Sequence, residues 1–137
     1  YEILRCLVGS EMCIRDRSHT LIGASMLARL DHYREEELAR TAYQICRWHH
    51  ERYDGGGYPD GLKGEEIPIA AQVVSIADAY DALISPRVYK EGFSHEQAMQ
   101  MIRNGECGAF NPLLIECLED SQSRIRYLAS MTAERFS

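Results

Sequence analysis

The sequence predicts an all-α fold, a helical bundle of about five helices. Three observations carry this. Apolar residues recur three and four positions apart along most of the chain, strands are hard to place anywhere, and helix-capping signals stand at Ser94 and Asn111. At 137 residues, 45% hydrophobic and 26% charged, the chain has room for one compact domain with a core of its own.

In chain order, the first helix is expected where His19, Ile22, Gly23, Met26, Leu27 and Leu30 form one stripe, with Ser18 as its cap. After a polar break at Asp31-His32-Tyr33, Glu35 to His50 reads as the second helix. Leu38, Ala42, Ile45 and His49 make one row of it, and Tyr43, Cys46 and His50 make the next. Residues 54–66 read as a glycine-rich loop. Pro68 suits the first turn of a third helix, where its missing N–H does no harm. The expected inward face of that helix is Ile69, Val73, Ile76, Ala77, Tyr80, Leu83 and Ile84, with Asp78 at its edge, and Pro86 ends it. Ser94-His95-Glu96-Gln97 is a capping box that opens a fourth helix, with Ala98, Met101 and Ile102 facing in and His95 exposed. Asn111-Pro112 opens a fifth, through Leu113, Leu114, Cys117 and Leu118, and Ser121 to Ser137 reads as a polar helical tail.

Composition narrows the function. No run approaches the roughly 18 apolar residues needed to span a bilayer. A net charge of -6 argues against broad nucleic-acid binding, which shows as a basic patch. A small anionic ligand stays compatible, because local cations or metal ions can override the global sign. The five cysteines are odd in number and lack a CxxC spacing, so no disulfide framework is expected and the setting reads as a reducing cytoplasm. Cys46 and Cys117 fall in apolar patterns and are expected to be small core residues.

The chemistry concentrates in Trp48-His49-His50-Glu51-Arg52-Tyr53-Asp54-Gly55-Gly56-Gly57-Tyr58-Pro59-Asp60-Gly61. Neutral imidazole is the commonest ligand for borderline divalent metals, and consecutive helical positions point about 100° apart, which suits two neighbouring ions. Equally, histidines at a helix C-terminus can cap the last free carbonyls, and a triple glycine can be only a loop. Spacing leaves both readings open. Asp78, at the edge of a buried stripe, needs a compensating cation or arginine. Arg87 and Lys90 combine a planar fork of donors with a point charge, a pair suited to phosphate or to an ordinary surface.

His49-His50-Glu51-Arg52-Tyr53-Asp54-Gly55, followed by Gly57-Tyr58-Pro59, resembles the signature of the HD-GYP family. Ile76-Ala77-Asp78-Ala79-Tyr80-Asp81-Ala82-Leu83 with Arg87, Tyr89 and Lys90 resembles that family's next block, and the similarity runs from about Ser18 to Leu118. The resemblance implies an HD-domain-like bundle and a bacterial, metal-dependent phosphohydrolase that cleaves the phosphodiester of cyclic di-GMP in signal transduction. It implies His49, His50 and Asp78 as catalytic residues, and these three with His19 as metal ligands. Gly57, Tyr58, Arg87 and Lys90 follow as substrate contacts, with Tyr58 stacking on a guanine. The implied cofactors are divalent metal ions, two in number, iron or manganese. The rival expectation is a non-catalytic nucleotide-binding or protein-interaction module that docks a partner such as a cyclase domain. A third is a phosphohydrolase for another nucleotide.

Residues 6–17 resemble a translated sequencing-library adapter. Residues 1–17 are therefore expected to be non-native, 18–121 the C-terminal portion of an HD-GYP-like domain, and 122–137 a C-terminal helical tail. On that expectation the domain is N-terminally truncated, the His-Asp pair that names the family lies upstream, and the fragment is impaired as an enzyme.

Overall fold

The computed structural model describes residues 10–30, 33, 35–86 and 91–135. Among the described residues all regular structure is helical: α1 (Ser10–Ala28), α2 (Glu37–Trp48), α3 (Ile69–Ile84), α4 (His95–Arg103), α5 (Pro112–Asp120) and α6 (Gln122–Arg135), with a 3-10 turn at Gly64–Glu66. Each helix packs on the next along the chain, the arrangement that short connections favour. The five expected helices and the helical tail are all present. α1 crosses residues 17 and 18 without interruption. No helix among the described residues is long and apolar enough to cross a membrane.

Local signals place the helix starts. The Ser94 hydroxyl accepts from Gln97 N, and the Gln97 side chain accepts from Ser94 N, which satisfies two otherwise unpaired donors at the head of α4. Asn111 Oδ1 accepts from Leu113 N, with Pro112 at the first position of α5. Pro68 stands one residue before α3, in extended backbone, as its N-cap.

The core lies between α3, α4 and the approach to α5. Ile76, Ala79, Tyr80 and Leu83 meet Ala98, Met99, Met101 and Ile102, and Cys107 and Phe110 close the end. Asn111 Nδ2 donates to Gln72 Oε1, and Gln72 Nε2 donates to Ile67 O, so the buried amide of Gln72 is satisfied on both sides.

Several expected faces are rotated. On α1 the buried residues are Thr20 and Ala24, whereas Ile22 and Met26 are 57% and 67% exposed. Leu38 of α2 is 78% exposed. On α3, Ala71, Gln72 and Ser75 point inward, while Ile69, Val73, Ala77 and Asp78 are exposed. The cause is composition: α3 carries apolar residues on opposite sides, and its small or hydrogen-bonded residues pack where close approach is needed. Cys117 is exposed rather than a core residue, and Cys46 is half-buried against Gly23. His95 is half-buried, its Nδ1 2.8 Å from Tyr80 Oη, rather than free in solvent.

Candidate metal centre

Three imidazoles converge where α1 passes the end of α2. His19 projects from the middle of α1, His49 is the C-cap of α2 and His50 follows it. One potential ligand atom from each lies within 4.8 Å of the other two. His19 Nε2 and His49 Nε2 are 3.2 Å apart. An ion held by two imidazoles at about 2.0–2.1 Å in a tetrahedral shell sets the two nitrogens about 3.3 Å apart, so this pair fits a shared cation.

The protonation of His49 follows from its neighbour. Its Nδ1 is 2.7 Å from Ile45 O, and a carbonyl only accepts, so Nδ1 carries a proton and in the neutral ring the lone pair sits on Nε2, toward His19. Ligand histidines characteristically donate their second N–H in this way, which orients the ring and raises its basicity. His50 is held neutral: burial first, then the neighbouring charges of His49, Arg52 and His19, lower its pKa from 6.5 to about 3. Its ring is thus ready to act as a donor to a cation at neutral pH.

The loop after His50 folds back over the same turn. Tyr58 N donates to His50 O at 3.3 Å, and the Tyr58 ring stacks on His50 with centroids 4.9 Å apart at 22°. The Arg17 guanidinium lies over the Tyr58 ring at 5.2 Å. Gly57 crosses so close to the chain that a Cβ there would overlap backbone atoms of His50, Glu51 and Arg52. Farther along, Asp60 takes a two-pronged ion pair from Arg47, at 2.8 and 3.0 Å, and the Trp48 indole N–H at 2.7 Å. These bonds, Arg47's first and Trp48's next, hold the Asp60 carboxyl below its ordinary pKa.

The sequence-predicted residues thus divide. His19, His49 and His50 come together, and Gly57 and Tyr58 shape the loop beside them. Asp78 is exposed on α3 and is not a member of the cluster. The reason is the rotation of α3, whose buried edge is Ser75 and Ala79. Arg87 and Lys90 lie outside the described residues. Sequence reasoning missed the part played by Glu51, which is 2% exposed and accepts three loop N–H groups, and by Arg52, whose Nη1 donates to Ser75 Oγ at 2.7 Å. Asking where the donors of a glycine-rich loop find acceptors would have pointed to Glu51, the first acid before it.

An all-helical domain with a cluster of histidines at a helix terminus defines a class of candidate metalloproteins. The model of the HD domain family matches residues 13–111. The chain belongs to this family, and its His-His-Glu and Gly-Tyr-Pro blocks place it in the HD-GYP branch. Domains of this family are metal-dependent, in keeping with the histidine cluster. It is 43% identical over 102 residues to a "Probable cyclic di-GMP phosphodiesterase" of Vibrio cholerae serotype O1, covering 73% of this chain and 23% of that protein. A "Cyclic di-GMP phosphodiesterase response regulator" of Xanthomonas campestris pv. campestris is 34% identical over 122 residues, 89% of this chain and 31% of its own length. A "3'3'-cGAMP-specific phosphodiesterase 2" of Vibrio cholerae is 35% identical over 102 residues, 74% of this chain and 19% of its own. The chain therefore spans less than a third of each of these relatives.

Proposed function

We propose that this chain is the catalytic part of a metal-dependent phosphodiesterase that hydrolyses cyclic di-GMP. The observation that carries the reading is the pair of Nε2 atoms 3.2 Å apart with the His49 tautomer locked by Ile45 O, a donor set matched to a cation. His19, His49 and His50 hold one ion, iron or manganese. Asp78 is proposed as a further carboxylate donor, since imidazole with carboxylate suits both metals. When bound, divalent cations at such a centre act as Lewis acids toward phosphoryl oxygens and lower the pKa of water. The protein's own residues orient: Gly57 and Tyr58 wall the centre, and Arg87 and Lys90 grip phosphate with a fork and a point charge.

Three imidazole donors can complete one partly open site, whereas two catalytic ions need more ligands between them. The chain on its own is accordingly proposed to bind about one ion and to turn over slowly. The second reading, a nucleotide-binding module without catalysis, draws on the exposure of Asp78 outside the cluster. Metal analysis combined with hydrolysis assays on cyclic di-GMP and 3'3'-cGAMP separates the two. The expected result is bound metal and slow cleavage of cyclic di-GMP that His50→Ala abolishes. Absence of bound metal, or equal turnover by His50→Ala, refutes the enzyme reading, and fast turnover by the unaltered chain refutes the donor shortage.

A further inference from the structure

Glu51 is the only charged side chain in the interior among the described residues. Burying a carboxylate is costly unless hydrogen bonds or a cation compensate, and here the compensation comes from one short segment. The N–H groups of Asp60 and Gly61 donate to Oε1 at 2.7 and 3.1 Å, and that of Leu62 donates to Oε2 at 3.0 Å. The segment so held leads back through Pro59 to Tyr58, whose N–H reaches His50 O and whose ring lies on the His50 ring. His50 precedes Glu51 in the chain, so carboxylate, loop, tyrosine and imidazole form a closed circuit of contacts. Arg47 and Trp48 hold the same loop from the other side through Asp60. Gly57 lets this circuit close without a side chain in the way.

We infer that Glu51 is a positioning residue for the metal centre: its carboxylate draws Asp60–Leu62 down, so that Tyr58 lies flat on His50 and sets the direction of that ring. The inference rests on the reading that His19, His49 and His50 bind a divalent cation. His49 is oriented by a carbonyl of its own helix, whereas His50 stands past the helix end and takes its orientation from the loop. Coupling between two sites is reciprocal, so a cation on His50 must in turn steady the loop.

The test uses the full chain and Zn²⁺ alone, a diamagnetic ion that imidazole binds. Calorimetry gives its affinity, amide hydrogen exchange reports on Asp60, Gly61 and Leu62, and fluorescence reports on Trp48, the one tryptophan. In the unaltered chain, Zn²⁺ is expected to slow exchange at those three amides. Glu51→Gln and Glu51→Ala are expected to weaken Zn²⁺ binding about 10–100-fold, as loss of a group that orients a ligand does, with Ala the worse. The same variants should shift Trp48 emission toward that of a solvated indole, while Glu119→Gln, on the far surface ion pair with Arg103, changes neither. Equal Zn²⁺ affinity in Glu51→Gln, or exchange at the three amides that ignores Zn²⁺, overturns the inference and leaves the metal reading intact. Failure of the unaltered chain to bind Zn²⁺ overturns both. If the variants do not fold, the exchange measurement, which needs no substitution, decides alone.

Discussion

The two ends of the domain are packed to different depths. Around α3 and α4 the interior is closed by Ile76, Tyr80, Leu83, Met99 and Ile102, whereas α2 has no fully buried residue and α1 buries Thr20 and Ala24. Yet the three clustered histidines all stand in the thinly packed end. The contrast teaches that apolar burial builds the scaffold while polar contacts assemble the site. Ile45 O, the Glu51 carboxylate and the Arg47–Asp60 pair hold the histidines and their loop where side-chain packing is shallow.

The largest effect should come from breaking the dense end. Ile102, 1% exposed, should cost about 2–5 kcal/mol when cut to Ala, whereas Ile22→Ala, at the other end, should stay within about 0.5 kcal/mol. Equilibrium urea unfolding of the two variants measures the difference, and equal losses would remove the distinction between the ends. Next in size, a divalent cation at 100 times its Kd should stabilise the chain by about 2.7 kcal/mol, and His49→Ala should abolish that gain. Thermal melts with and without Mn²⁺ show it, and the increase in hydrogen-exchange protection should fall on α1 and the end of α2. Gly57→Ala should then cost about 1–3 kcal/mol, because the added methyl must push the loop off the backbone beneath it. It should weaken Mn²⁺ binding in the same titration.

The smallest effect is a pH dependence. Asp60 has its folded pKa below the ordinary 3.8, so its pairing with Arg47 contributes stability that is fully present above that value. The contribution is lost as pH falls through the lower folded pKa. Asp60→Asn should flatten the acid side of a stability-against-pH curve below about pH 4 and leave the metal-free curve above pH 6 parallel to that of the unaltered chain.

Much of the scaffold was legible beforehand because its signals are local. The Ser94 box and the Asn111 cap depend on residues two or three apart, and both form as read. The inward face of α3 was legible only in part: Ile76, Tyr80 and Leu83 pack as read, whereas Ile69, Val73 and Ala77 of the same stripe are exposed and Ala71, Gln72 and Ser75 pack in their place. Which side packs depends on the neighbouring helix and on partners such as Asn111 for Gln72. The same packing leaves Asp78 exposed. The half-buried pairing of His95 with Tyr80 likewise joins elements fifteen residues apart and leaves no local trace.

The sequence by itself determined the all-helical class, the helix starts at Ser94 and Asn111 and the family, because periodicity, caps and a contiguous motif are written within a few residues of one another. Tertiary structure alone decided that His19 meets His49 across thirty positions, that Ile45 O sets the tautomer, and that Glu51 turns inward to gather the loop. Those outcomes depend on where helices cross and which unpaired donors lie within reach of an acceptor, quantities that no spacing along the chain encodes.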